Sequence, residues 1–337
     1  MRILVIGGTH FIGPHVVARL HSLGHEITVY HRGLHEADLP PDVRHVHDAR
    51  ATVPITHYPS VLTDPPPHVV LHMHPIGAVD TAAVIARFAG KARRIVALSS
   101  GDVYRAYGRL MGTEPGPPEP LPLAEDSPLR NTHFPYRHTA AGPDDWVYHY
   151  EKILAEQILL EGSLPATVLR LPAVYGPGDP HRRFRPFLKR MLDQRPAILL
   201  ETHQAGWRWT HGYVEDVAFA IALAATDDRA MGNVYNLGES LTPSTRERIQ
   251  RIARAANWGG AVVALSRERL PAHLRQPYEP KQDIVMDSGR IRNELGFAEP
   301  LTEDEGLRCT IEWERANPPA GGDPTLNDYA EEDAVIA

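Results

Sequence analysis

The chain has 337 residues, of which 42% are apolar, enough to bury the core of one large or two unequal domains. Its formal net charge of −7 speaks against a general nucleic-acid-binding surface, and no apolar run approaches the roughly 18 residues of a membrane span. The single cysteine, Cys309, excludes an internal disulfide and suits a reducing, cytoplasmic setting.

The chain opens on an apolar run, Ile3 to Ile6, that reads as a buried strand and is expected to have no targeting segment ahead of it. A glycine-rich turn, Gly7 to Gly13, follows, and Pro14 stands at a first helical position before the helix His15 to Leu20. Such a strand–turn–helix presents backbone N–H groups and the positive end of a helix dipole to a pyrophosphate, so it points to a dinucleotide. Gly7 and Gly13 fill the outer positions of G-x-x-G-x-x-G. His10 fills the middle one, where a side chain crowds the phosphates or itself faces one.

The second strand, Ile27 to Tyr30, ends on His31-Arg32-Gly33. No acid is present there for the ribose hydroxyls of NAD, and Arg32 suits a 2′-phosphate, which favours NADP over NAD. Asp48, after the third strand (Val43 to Val46), reads either as an acceptor for the adenine amino group or as a turn residue. The pairs His45/His47 and His72/His74 each lie on one sheet face, but no third ligand clusters with either in sequence, so no metal site is expected.

His68 to His72, Arg94 to Ser99 and Thr167 to Leu171 read as further strands, and Ala78 to Phe88 as a helix. This alternation predicts an α/β fold with a Rossmann-type doubly wound parallel sheet and its ligand at the carboxyl ends of the strands. Residues 105–145, rich in Pro and Gly, are too long for an ordinary connection; both ends abut residues with catalytic character, which suggests a lid. Later come a helix (Arg246 to Ala256), a short strand (Val262 to Leu265) and a helix around Ser288 to Leu295. An acidic tail, 318–337, reads as mobile.

The chemistry concentrates in two places. Ser99-Ser100-Gly101-Asp102-Val103-Tyr104 closes the fifth strand, and Tyr148 stands four residues before Lys152 at the start of an apolar-periodic helix. On one helix, that spacing puts phenol and ammonium on one face, where the cation lowers the phenol's pKa and readies it to take an alcohol proton. Ser100 would steady the substrate oxygen. Only Lys91, Lys152, Lys189 and Lys281 are lysines, so the match at Lys152 is less open to chance. Arg182, Arg183 and Arg185 read either as a solvated helix start or as anion recognition.

With these motifs, and with Leu169 to Asp179, Tyr213 to Ala218 and Val234 to Gly238, the sequence resembles the extended short-chain dehydrogenase/reductases, the NAD(P)-dependent sugar epimerase/dehydratase group. The resemblance implies Ser100, Tyr148 and Lys152 as catalytic residues, with Asp102 where related dehydratases carry a glutamate. It implies cofactor contacts from Gly7, Thr9, His10, Phe11, Ile12, Gly13, Arg32, Asp48, Ser99, Tyr148, Lys152 and Pro172, and substrate contacts from Arg182 and Arg208. Arg208 is one position off the register of the family's diphosphate-binding arginine.

The implied organisation is a cofactor-binding unit of residues 1–171 plus 205–237 and a smaller C-terminal α/β substrate unit of 172–204 plus 238–317. A homodimer built on the helices near 78–88 and 148–160 is also implied. The implied activity is transient oxidation of a sugar or nucleotide-sugar alcohol with NADP or NAD. The alternatives are an NADPH-dependent carbonyl reductase of a non-nucleotide substrate and a non-catalytic or RNA-binding relative.

Overall fold

The computed structural model describes residues 1–276, 281–319 and 328–336. In chain order the first elements are β1 (Arg2–Ile6), α1 (Ile12–Ser22), β2 (Glu26–His31), β3 (Arg44–His47), β4 (Val69–His72), α2 (Ala78–Phe88) and β5 (Arg94–Ser100). Next come α3 (Arg105–Leu110), α4 (Trp146–His149), α5 (Lys152–Glu161), β6 (Ala166–Leu171), β7 (Ala173–Tyr175), α6 (Arg185–Leu192) and β8 (Ala197–Glu201). Then follow α7 (Thr202–Gly206), β9 (His211–Tyr213), α8 (Val214–Thr226), β10 (Val234–Asn236), α9 (Thr245–Ala255), β11 (Ala261–Leu265), α10 (Gly289–Leu295), α11 (Glu303–Ala316) and α12 (Ala330–Ile336).

Seven strands form one parallel sheet in the order β3-β2-β1-β4-β5-β6-β10, as the continuous apolar runs require. Alternate residues of β1 feed opposite cores. Ile3 and Val5 pack with Val16 and Val17 of α1 and Ala224 of α8, while Leu4 and Ile6 pack with Val84 and Phe88 of α2 and Leu159 of α5. The strand order reverses between β1 and β4, and in doubly wound sheets ligands bind in the crevice at that point. A smaller layer, the parallel pair β8–β11, lies beside the sheet domain. No helix among the described residues is long and apolar enough to cross a membrane.

The acidic tail, expected to lack structure, has a helix within 328–336. This is α12, whose Glu332 ion-pairs with Arg190 at a nearly inaccessible position while Val335 and Ile336 pack beside Leu199 and Leu265. The rest of that expectation, residues 320–327 and 337, lies outside the described residues. The 105–145 segment is bonded to the rest of the chain beside the site, where its Tyr136 and Arg130 reach Asp102. Glu119 accepts hydrogen bonds from Arg105 and Arg109, Glu114 accepts from the amides of Asn131 and Thr132, and Asn236 of the edge strand donates to the Leu123 carbonyl.

Candidate active site

A cavity of about 620 Å³ runs along the carboxyl ends of β2, β1, β4 and β5, within the size range of cofactor and ligand pockets. One wall is the glycine turn. A Cβ on Gly13 would lie 2.4 Å from the Gly8 carbonyl carbon, and one on Gly8, whose φ is +98°, would meet Val5 at 2.8 Å. Only glycine allows this tight an entry to α1, where the Gly13 amide donates to the His10 carbonyl at 3.0 Å and the positive end of the helix dipole lies at the cavity wall. His10 does not close the turn. Its side chain is exposed and its ring lies 5.6 Å from that of His35. These residues fit a dinucleotide with its pyrophosphate at the α1 N-terminus.

Beyond the turn the cavity reaches Leu98, Ser99, Ser100, Trp146, Tyr150, Lys152 and Pro172. Ser100 ends β5, and its hydroxyl accepts from the Asp102 amide at 3.2 Å, folding the chain into a short 3-10 turn. That turn buries the Asp102 carboxylate. Its Oδ2 accepts the phenols of Tyr150 at 2.9 Å and Tyr136 at 3.0 Å, while its Oδ1 is buried without a partner among the described residues. Burial raises the Asp102 pKa against the pull of Arg130 and the two phenols. The Tyr150 phenol is itself pushed well above its ordinary value, first by burial and then by Asp102, with a hydrogen bond from Ser100 opposing. Tyr150 and Asp102 are therefore a coupled pair, each pushed toward its protonated form by burial.

Lys152 opens α5. Its Nζ donates to the carbonyls of Pro75 and Leu98, at the ends of the β4 and β5 region, and sits 5.5 Å from the centre of the Tyr150 ring. Burial lowers its pKa to about 8, opposed by Asp102, Asp80 and Glu156. Behind it, Ser99 donates to Glu156, which also takes a bidentate hydrogen bond from Arg170 of β6. Neither Glu156 nor Arg170 is more than 4% exposed, so the pair locks the back of the site.

The one-helix reading of Tyr148 and Lys152 does not hold. Helix α4 stops at His149, Tyr150 and Glu151 are extended, and α5 starts afresh at Lys152. The break is caused by Glu151, which is fully buried. It accepts from the Ile153 amide as the N-cap of α5, pairs with Arg130 and accepts from the Phe134 amide. Tyr148 instead packs under the Arg137 guanidinium, 4.5 Å from its ring centre, and is not among the residues lining the cavity.

Of the other expected cofactor contacts, Gly7, Thr9, His10, Phe11, Ile12, Gly13, Arg32, Ser99 and Pro172 line the cavity. Asp48 does not; Arg50 takes both its carboxylate oxygens, and Ala51, Val53 and Ile55 form that wall. The expected substrate arginines are engaged elsewhere. Arg182 pairs with Glu314 and covers Trp313, and Arg208 pairs with Asp283. Arg183 does reach the cavity, held by Asp179 and the Val174 carbonyl. Sequence reasoning missed Tyr136, and an acid directly before Lys152, able to restart the helix, was the available signal of the break at Tyr150.

A parallel sheet with a dinucleotide-sized cavity at its switch point, a glycine turn and a Ser–Tyr–Lys cluster defines a nucleotide-cofactor-binding α/β protein. The model of the NAD dependent epimerase/dehydratase family matches residues 3–238, and the chain belongs to that family. It is 30% identical over 192 residues to a dTDP-glucose 4,6-dehydratase of Streptomyces griseus, a match covering 56% of this chain and 52% of the relative. It is 27% identical over 263 residues to a 2'-dehydrokanamycin reductase of Streptomyces kanamyceticus, covering 76% of this chain and 66% of that protein. The chain thus spans about half to two thirds of these relatives' length. Among solved structures, UDP-glucose 4-epimerase of Thermotoga maritima superimposes with a TM-score of 0.68 at 17% identity, over 94% of this chain and 99% of that one, a likeness of fold.

Proposed function

We propose that the protein is an NAD(P)-dependent epimerase or dehydratase that transiently oxidises an alcohol on a sugar-like, nucleotide-linked substrate. The observation that carries this reading is the meeting of Ser100, Asp102, Tyr150 and Lys152 at one end of the cavity, with the glycine turn along its wall. When bound, the dinucleotide would take up the hydride from the substrate carbon and return it later. The glycine turn would hold its pyrophosphate and Lys152 its nicotinamide ribose. Arg32 lines the cavity and forms no hydrogen bond or ion pair among the described residues, which favours NADP.

Tyr150, rather than Tyr148, carries the proton in this reading. Its oxygen takes the proton of the substrate hydroxyl as its own proton passes to Oδ2 of Asp102, and the transfer reverses when the carbonyl is reduced. Ser100 steadies the substrate oxygen, and the Lys152 ammonium stabilises charge on the phenol. Return of hydride to the opposite face gives epimerisation. Loss of a neighbouring substituent first gives dehydration.

Incubation with NADP or NAD and UDP- or dTDP-glucose tests this. A changed sugar without net change in nicotinamide absorbance is expected, and steady net cofactor consumption contradicts it. The second reading, reduction of a free carbonyl compound, is supported by the engagement of Arg182 and Arg208 with Glu314 and Asp283, which leaves Arg183 and Arg32 as the arginines lining the cavity. It predicts that net consumption.

Residues 1–171 with 205–237 are taken as the cofactor-binding unit and 172–204 with 238–317 as the substrate unit, in a cytoplasmic enzyme. A homodimer is supported by α2 packing beside α5 and by exposed Val79, Trp146 and Leu160 nearby. Light scattering at the 37.4 kDa of one chain would remove it.

A further inference from the structure

The two histidines His45 and His47 have partners that their spacing in sequence does not reveal. In the parallel pairing of β2 with β3, His31 lies opposite His47 and Val29 opposite His45, so all three imidazoles share one face at the sheet's edge. The connection from β2 to β3 brings Glu36 onto them. His31 Nε2 lies 3.0 Å from His45 Nδ1, His47 Nε2 lies 3.0 Å from a Glu36 oxygen, and His45 Nδ1 lies 3.6 Å from the other. One ligand atom from each of the four side chains can be chosen so that all lie within 4.8 Å of one another, and this is the only such group among the described residues.

We propose that His31, Glu36, His45 and His47 bind a divalent transition metal of the zinc class. A tetrahedral ion with bonds near 2.0–2.1 Å sets its ligand atoms about 3.3 Å apart. Separations of 3.0, 3.0 and 3.6 Å lie near that edge, and the full set of four ligand atoms lies within 4.8 Å, so closing the site draws its widest pair together by up to about 1.5 Å through side-chain rotation. Three imidazoles and one carboxylate select zinc, copper, nickel or cobalt over magnesium or calcium, which prefer all-oxygen sets. His31 is 6% exposed, and its remaining nitrogen, Nδ1, is buried without a partner among the described residues.

The site borders the cofactor cavity. His31 lines that cavity, as do Arg32, Gly33, Leu34 and His35 of the β2–β3 connection, which also carries Glu36. A bound ion would tie this connection to the edge strand β3, fixing the wall on which Arg32 stands. Gly33 already packs toward His47, since a Cβ there would lie 3.5 Å from the imidazole. This inference stands on the cluster alone and does not depend on the reaction proposed above.

The test is titration of the chelator-stripped full chain with Zn²⁺, with Co²⁺ as a spectroscopic probe. One tight zinc per chain is expected, with the intense visible bands of tetrahedral cobalt. His47→Ala should weaken zinc by about 100-fold or more and abolish those bands. Glu36→Gln, at an exposed carboxamide-compatible position, should weaken zinc without altering the circular dichroism of the metal-free protein, and His25→Ala should bind as the parent does. Zinc affinity equal in the parent, His47→Ala and Glu36→Gln would overturn the proposal, leaving a hydrogen-bonded cluster; so would cobalt spectra of an octahedral, water-rich ion.

Discussion

At one end of the cavity Asp102, Tyr150 and Lys152 are buried and bonded to one another or to backbone carbonyls, whereas at the other end Arg32, His35, Glu36 and His47 are open to solvent. The buried end has its geometry fixed by the chain: Glu156 and Arg170 brace it from behind, Glu151 and Arg130 from the side. The open end carries charges that, in the proposals above, would meet a phosphate and an ion. The difference follows from what each end must do. Proton transfer needs groups held within hydrogen-bond reach and shielded from water, while recognition of a phosphate by an exposed arginine tolerates motion and is screened by salt.

The comparison can be broken most forcefully at the brace. Arg170→Ala leaves Glu156 buried without its bidentate partner, and a loss of about 3–5 kcal/mol in denaturant unfolding is expected; a loss under 1 kcal/mol would mean that the buried end is not held from behind. The next largest effect is in pH. The folded pKa of Lys152 is lowered from 10.5 to about 8, so between those values the unfolded chain keeps a proton that the folded chain has released. Its destabilising contribution is complete below about 8 and shrinks as pH rises through that window. Relative to Lys152→Met, the parent should gain up to about 3 kcal/mol across it, measured as the difference between their unfolding free energies.

Smaller changes belong to the open end. Arg32→Ala should weaken NADPH binding about tenfold, some 1.4 kcal/mol, and leave NADH within about twofold, and that selectivity should fade with added salt. Equal loss for both cofactors would mean that Arg32 shapes the loop rather than meeting a phosphate. Arg208→Ala is the smallest. Its partner Asp283 is at the surface, so stability should move by less than about 1 kcal/mol and substrate KM by less than about twofold. A large rise in KM would restore Arg208 to the substrate site.

The same contrast explains what could be read from the sequence. The glycine turn, Ser100 and Lys152 were legible because each is fixed by local chemistry: a continuous apolar run before Gly7, a serine ending a strand, an apolar-periodic helix after Lys152. The position of Tyr148 off the cavity was not legible because the helix break depends on Arg130 and the Phe134 amide, contributed by a segment whose path no local pattern encodes. The His31–His47 neighbourhood needed the register of two parallel strands, which is a non-local fact. The tail gave no sign of α12 since its stability comes from Arg190 and Leu199, far back in the chain. Arg182 and Arg208 looked available because their acidic partners, Glu314 and Asp283, lie distant in sequence.

The central claim, that the phenol of Tyr150 rather than that of Tyr148 moves the proton, is tested most directly by comparing Tyr150→Phe with Tyr148→Phe. Single-turnover hydride transfer should fall about 10²- to 10⁴-fold in the first, with cofactor affinity kept, and stay within about threefold in the second. The reverse pattern, with Tyr150→Phe active and Tyr148→Phe inactive, would contradict it.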